Sequence, residues 1–199
     1  MSRLFYTGDN KTIDWQDLPG ISPISLSYDD VLLIPQSSDI TSRSEVDTSV
    51  RFGPYTLQIP IISAPMDTIS GEVMIRELAR LGAMGSLPRS KSEEFSENLA
   101  ICERLSSENI PCLYAVGLKN GLEQAKQLKD RGATFILVDV ANGEMLQVKE
   151  LAQEIKKKLK VSVVAGNIAT RQGVESYQKY GIDAVRIGIG PGGMCTTRL

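Results

Sequence analysis

The sequence predicts an α/β fold made of repeated strand–helix units around a parallel sheet. Six short apolar runs, at residues 59–64, 83–87, 112–116, 135–140, 161–165 and 184–187, alternate with helical spacing at 71–81, 92–107, 120–131, 144–159 and 171–180. Run starts recur every ~22–29 residues, the size of one βα unit whose strand is buried on both faces. Polar and small residues gather where the runs end: 63–67, 139–143, 166–167 and 188–197. In a parallel barrel those ends share the ligand-binding face. The periodicity also fits an open doubly wound sheet, but the polar exits favour a barrel.

The elements follow in order. Residues 1–22 carry no sustained period, and Trp15, Pro19 and Gly20 suggest an arm with little regular structure. Residues 25–35 run from a polar start through an apolar stretch to Pro35, which reads as a turn or short helix leading into an extended segment. Residues 44–57 alternate weakly around Gly53-Pro54 and predict a hairpin. We divide the chain into an arm and leading hairpin, 1–57, and a partial barrel, 58–199. Lys156 to Lys160 read as the solvated end of the fourth helix, where cations suit the dipole.

Composition narrows the function. The chain has 199 residues, a formal charge of −2 and 42% hydrophobic residues, enough for one sizeable core and without the basic face that nucleic acid or a membrane surface requires. No apolar run approaches a membrane span, and three cysteines at unrelated spacings fit a reducing compartment, so we expect a cytoplasmic protein. There is no histidine, which removes Cys-His dyads, Ser-His-Asp triads and imidazole metal ligands.

The most informative stretch is 183–199, DAVRIGIGPGGMCTTRL. A strand opens into a loop with Gly188, Gly190, Gly192 and Gly193 around Pro191, then presents Cys195. Glycines at this density let backbone N–H groups close on an anion, and a thiol just beyond is a candidate nucleophile toward a phosphorylated ligand. With no histidine available, loop N–H groups, a helix N-terminus, Arg186, Arg198 or the substrate must favour the thiolate. Cys102, in a helix, and Cys112, in a strand, read as small buried hydrophobes.

Four motifs in order, LSYDDVLLIP at 26–35, SAPMDT at 63–68, VAGNIAT at 164–170 and DAVRIGIGPGGMCTTR at 183–198, make residues 26–199 resemble the IMP dehydrogenase / GMP reductase family. The resemblance implies a (β/α)8 TIM barrel, of which this chain covers about the first six βα units. Val138-Asp139-Val140-Ala141-Asn142-Gly143 and Thr196 look like the reductase form. The run from Leu87 straight into the next helix, without an inserted regulatory module, leans the same way.

For a reductase, the resemblance implies that Cys195 bonds to C2 of the purine of GMP, that ammonia leaves, and that NADPH delivers hydride to the same carbon to give IMP. The dehydrogenase alternative takes IMP and NAD through the same thiol to XMP. Thr197 matches the threonine that positions the water or ammonia. Met66, Gly188, Gly190 and Gly193 match the nucleotide pocket, and Asp139, with Arg89, the cofactor side. Carbonyls of Gly190, Gly192 and Cys195 match a potassium site, and Asn167 and Arg186 match residues supporting the active loop. A homotetramer is implied as well. For Asp139 the residues alone allow a helix cap, for Asn167 a loop-backbone role, and for Met66 ordinary core; Arg186 on an apolar strand needs a partner in any reading.

The chain departs from the family pattern in three ways. Gly193 stands where serine is common, leaving backbone N–H groups to hold the 5′-phosphate, and Leu87-Pro88-Arg89 replaces a His-Lys pair. The family's last two strands, flap and downstream phosphate segments fall beyond Leu199, so the 199-residue chain alone is expected to be inactive, or to act only as a nucleotide-binding fragment.

Overall fold

The computed structural model describes residues 32–89 and 95–190, together with the backbone of residues 5–6 and 12–13. Two compact units are present, Met1–Asp39 and Ile40–Leu199. In the first, β1 (Phe5–Tyr6) pairs antiparallel with β2 (Thr12–Ile13), a short ladder inside a segment expected to lack regular structure. Residues 32–35 form no helix or strand, and Leu32 and Leu33 are exposed.

In the second unit, β3 (Val50–Phe52) and β4 (Tyr55–Leu57) form the expected hairpin. It lies in the same unit as the sheet. Phe52 stacks on Phe135 with ring centroids 5.1 Å apart, and Leu57 joins Met84, Leu113, Leu137 and Val164 in one of two apolar clusters. Aromatic stacking of this kind adds to the area each ring buries.

Five parallel strands follow in sequential order: β5 (Gly85–Leu87), β6 (Cys112–Val116), β7 (Phe135–Asp139), β8 (Ser162–Ile168) and β9 (Ala184–Ile187). Between them run α2 (Phe95–Ser107), α3 (Gly121–Asp130), α4 (Leu146–Leu159) and α5 (Arg171–Gln178), and α1 (Glu72–Arg80) precedes β5. Strands β5, β6 and β7 are buried almost end to end, as their largely apolar composition requires. The second cluster seals the helices onto the sheet through Ile75, Leu105, Leu128, Val148, Ile155 and Tyr177. Cys102 and Cys112 are buried in it as expected.

The first expected strand is corrected. Residues 59–64 form no strand; Ile62 makes a single parallel bridge to Met84. Met84 donates to the Ile61 carbonyl and accepts from Ser63, both at 3.1 Å, but Pro60 has no N–H and Ile61 N–H turns back to the Ile59 carbonyl. The apolar composition is that of a strand, yet the ladder holds at one point only. The sheet therefore has five strands rather than six, an arrangement consistent with a TIM-barrel family.

At the far end of α4, Lys160 caps the helix in a left-handed conformation, Lys156 pairs with Asp183 at 2.6 Å and Lys158 with Glu154 at 2.6 Å. Among the described residues no helix is long and apolar enough to cross a membrane.

Candidate active site

Carboxyl ends of neighbouring parallel strands lie side by side, so register decides which side chains meet. Asp139 of β7 pairs with Gly166 of β8, and Gly166 pairs with Arg186 of β9. The three stand in one row across the sheet. Because Gly166 has no side chain, Arg186 can pass over it: a Cβ on Gly166 would lie 2.8 Å from both the Cβ and the carbonyl oxygen of Arg186. The guanidinium then donates through Nη2 to Asp139 Oδ1 and through Nε to Asn167 Oδ1. A cation on an apolar strand is thereby paired and hydrogen-bonded, the condition for tolerating it there.

Asp139 does not cap α4, whose N-cap is Met145 without a side-chain bond. Its carboxylate is 15% exposed, with Oδ1 committed to Arg186 and Oδ2 facing Arg89 Nε at 3.5 Å. Arg89 follows β5 and keeps about half of its side chain in solvent. Two cations from opposite sides of the strand row thus hold one carboxylate at the strand ends.

Beyond it opens a cleft of about 530 Å³ lined by Pro65, Met66, Asp67, Thr68, Pro88, Arg89 and Asp139. Met66 is exposed on this wall, not packed in the core. The turn carrying it is tied down from beneath: Ser70 and Ile69 N–H groups donate to the Met66 carbonyl at 2.8 and 2.9 Å, and Ser63 and Ser70 hydroxyls bond at 2.7 Å. Buried Ser86 donates to Ser63 through both its backbone N–H and its hydroxyl.

After β7 the chain turns through Val140 to Glu144. Val140 N–H donates to the Gly166 carbonyl at 2.9 Å, Asn167 N–H to the Val140 carbonyl at 2.7 Å, and Gly143 N–H to the Asn167 carbonyl at 2.7 Å. Asn167 thus serves loop backbone and Arg186 together. The peptide between Gly166 and Asn167 is cis. Past β9, Gly188 has φ of 112° and donates to the Ile168 carbonyl at 2.8 Å, with open space where a Cβ would stand; Gly190 has φ of 52° and is buried. Positive φ at both glycines turns the chain sharply away from the strand. Gly192, Gly193, Cys195 and Thr197 lie outside the described residues.

Among the described residues, then, Arg89, Asp139, Asn167 and Arg186 form one connected group, and Met66 faces it across the cleft. Asp67 and Thr68, within SAPMDT, line the cleft, and Tyr177 and Glu144 brace the β7–α4 loop, roles that the sequence alone does not assign. Helical spacing marks Tyr177 as core; nothing local reveals where its hydroxyl goes.

Residues 25–199 match the family model described as IMP dehydrogenase / GMP reductase domain. The chain belongs to that family. Members similar to this IMP dehydrogenase / GMP reductase chain include GMP reductases of Streptococcus equi subsp. equi and Streptococcus agalactiae, each 36% identical over 174 residues, 86% of this chain and 52% of the relative. The GMP reductase of Streptococcus pyogenes is 34% identical over the same shares. The chain spans about half the length of the curated relatives it matches.

Proposed function

We propose that this chain is part of a GMP reductase that converts GMP to IMP and ammonia with a reduced nicotinamide cofactor. Its similarity to GMP reductases over 86% of its length carries the reading, and the VDVANG and CTTR forms of its two variable motifs lean the same way. The site offers chemistry suited to it.

The described donor set fits a nicotinamide dinucleotide. Asp139 lines the cleft, and its Oδ2, which Arg186 does not take, can accept from a ribose hydroxyl, while the half-exposed Arg89 guanidinium can meet a phosphate. When bound, NADPH supplies the hydride that reduces C2. Cys195 supplies the thiolate that forms a bond to that carbon as the amino group takes a proton from solvent and departs as ammonia, and the carbon–sulfur bond breaks once C2 is reduced, returning the thiolate. Thr197 orients the departing ammonia; Gly188, Gly190 and Gly193 let the loop backbone close on the nucleotide, with Met66 against the purine. Carbonyls of Gly190, Gly192 and Cys195 suit a hard monovalent ion such as potassium. Assembly as a homotetramer belongs to the same proposal.

The test is a paired incubation of the complete protein, with GMP and NADPH and then with IMP and NAD. We expect the reduced-nicotinamide absorbance to fall in the first mixture and no reduced nicotinamide to appear in the second. Turnover only in the second would make the protein an IMP dehydrogenase. Cys195→Ala is expected to abolish turnover while nucleotide still binds.

A further inference from the structure

We propose that Tyr177, on α5, is a positioning residue for the cofactor side of the site, acting on Asp139 through a chain of hydrogen bonds. The proposal rests on the functional reading above and adds a residue to it.

Tyr177 is 2% exposed, and its hydroxyl donates to the Gly143 carbonyl at 2.5 Å. A buried phenol requires a partner, and the one it takes is the backbone of the loop that follows Asp139. Gly143 passes the constraint on, since its N–H donates to the Asn167 carbonyl at 2.7 Å and a Cβ there would sit 2.7 Å from that oxygen. Asn167 Oδ1 accepts from Arg186 Nε, and Arg186 Nη2 donates to Asp139. Four links therefore join a helix on the outside of the sheet to the carboxylate at the cleft.

A second clasp runs parallel to the first. Thr170, the N-cap of α5, donates to Glu144 Oε1 at 2.8 Å and accepts from Gly173 N–H at 2.9 Å, while Glu144 N–H donates to Asn142 Oδ1 at 3.1 Å. The loop is thus pinned to α5 at two successive residues, Gly143 and Glu144. Lys149 stands 5.7 Å from the centre of the Tyr177 ring, a cation–π contact that helps fix the ring. Burial pushes the hydroxyl up to about 12, so it remains a donor across the physiological range. Small misplacements of a binding group far from the chemistry cost large factors, which is how a residue that touches no ligand can act.

Tyr177→Phe removes the hydroxyl and keeps the buried ring. The measurement is NADPH affinity in the complex with IMP, which cannot turn over, read by nicotinamide fluorescence, for wild type, Tyr177→Phe, Asp139→Asn and the double variant. We expect Tyr177→Phe to weaken NADPH about tenfold, leave IMP affinity close to wild type, and have no further effect on NADPH once Asp139 is replaced. Equal NADPH affinity in Tyr177→Phe, or additive losses in the double variant, would overturn the proposal. Failure of wild type to bind IMP and NADPH, or to reduce GMP, would instead refute the functional reading.

Discussion

Gly143→Ala tests the packing at the β7–α4 loop without depending on any activity. The added Cβ would lie 2.7 Å from the Asn167 carbonyl oxygen, 2.8 Å from the Gly166 carbonyl carbon and 3.0 Å from Asn167 nitrogen. All three are backbone atoms, so no side chain can swing aside and the loop itself must move. Overpacking of this kind costs about 1–3 kcal/mol. Movement also weakens the 2.7 Å bond from Gly143 N–H to Asn167, a contribution of about 1 kcal/mol. The sum is a loss of about 2–4 kcal/mol. With a urea slope of about 2 kcal/mol/M, the unfolding midpoint should fall by ~1–2 M. Gly71→Ala is the control: a Cβ there meets nothing within 4 Å, and replacing this N-cap glycine should cost less than about 1 kcal/mol. Equal midpoints for the two variants would refute the close-approach argument.

Two further outcomes are expected. The Glu72 carboxyl is held at about 2, against an ordinary 4.5, chiefly by its bond to Arg104 and then by Arg76, with burial opposing. A depressed carboxyl stabilises the fold above its ordinary value and loses that contribution as pH falls toward the folded one, so Glu72→Gln should flatten the decline in stability between pH 4.5 and about 2; parallel pH profiles for variant and wild type would contradict this. Burial raises the pKa of both the Cys102 and Cys112 thiols, so peptide mapping after alkylation of native protein should find both unmodified and both labelled only once denaturant is added.

Much of this arrangement is legible in the residues. The runs at 112–116 and 184–187 coincide with β6 and β9, because an apolar run of that length between helical stretches leaves little choice of partner. Arg186 announces a buried partner by its place on an apolar strand, and Asp139 proves to be that partner 47 positions earlier. What composition cannot supply is register. Whether residues 59–64 pair along their length depends on backbone donors: Pro60 lacks one and Ile61 uses its own locally. Apolarity records only that such a segment avoids water. Tyr177 is hidden for a related reason, since its hydroxyl partner lies 34 residues away and helical period reports only which face is buried. The residues carrying the proposed covalent chemistry, Cys195 and Thr197, rest on motif alone.

The sequential order of the parallel strands has a consequence for how the chain assembles. Each strand of the sheet pairs with the one that immediately precedes it, Gly85 with Cys112 and later Val164 with Ala184, so partners are separated by roughly 20–30 residues and no pairing within the sheet must wait for a distant segment. During synthesis β6 can dock on β5, and β7 on β6, while downstream codons are still being read. Asp139 then takes its position before the ribosome has made Arg186, and the ion pair closes late, as a latch on a scaffold already in place.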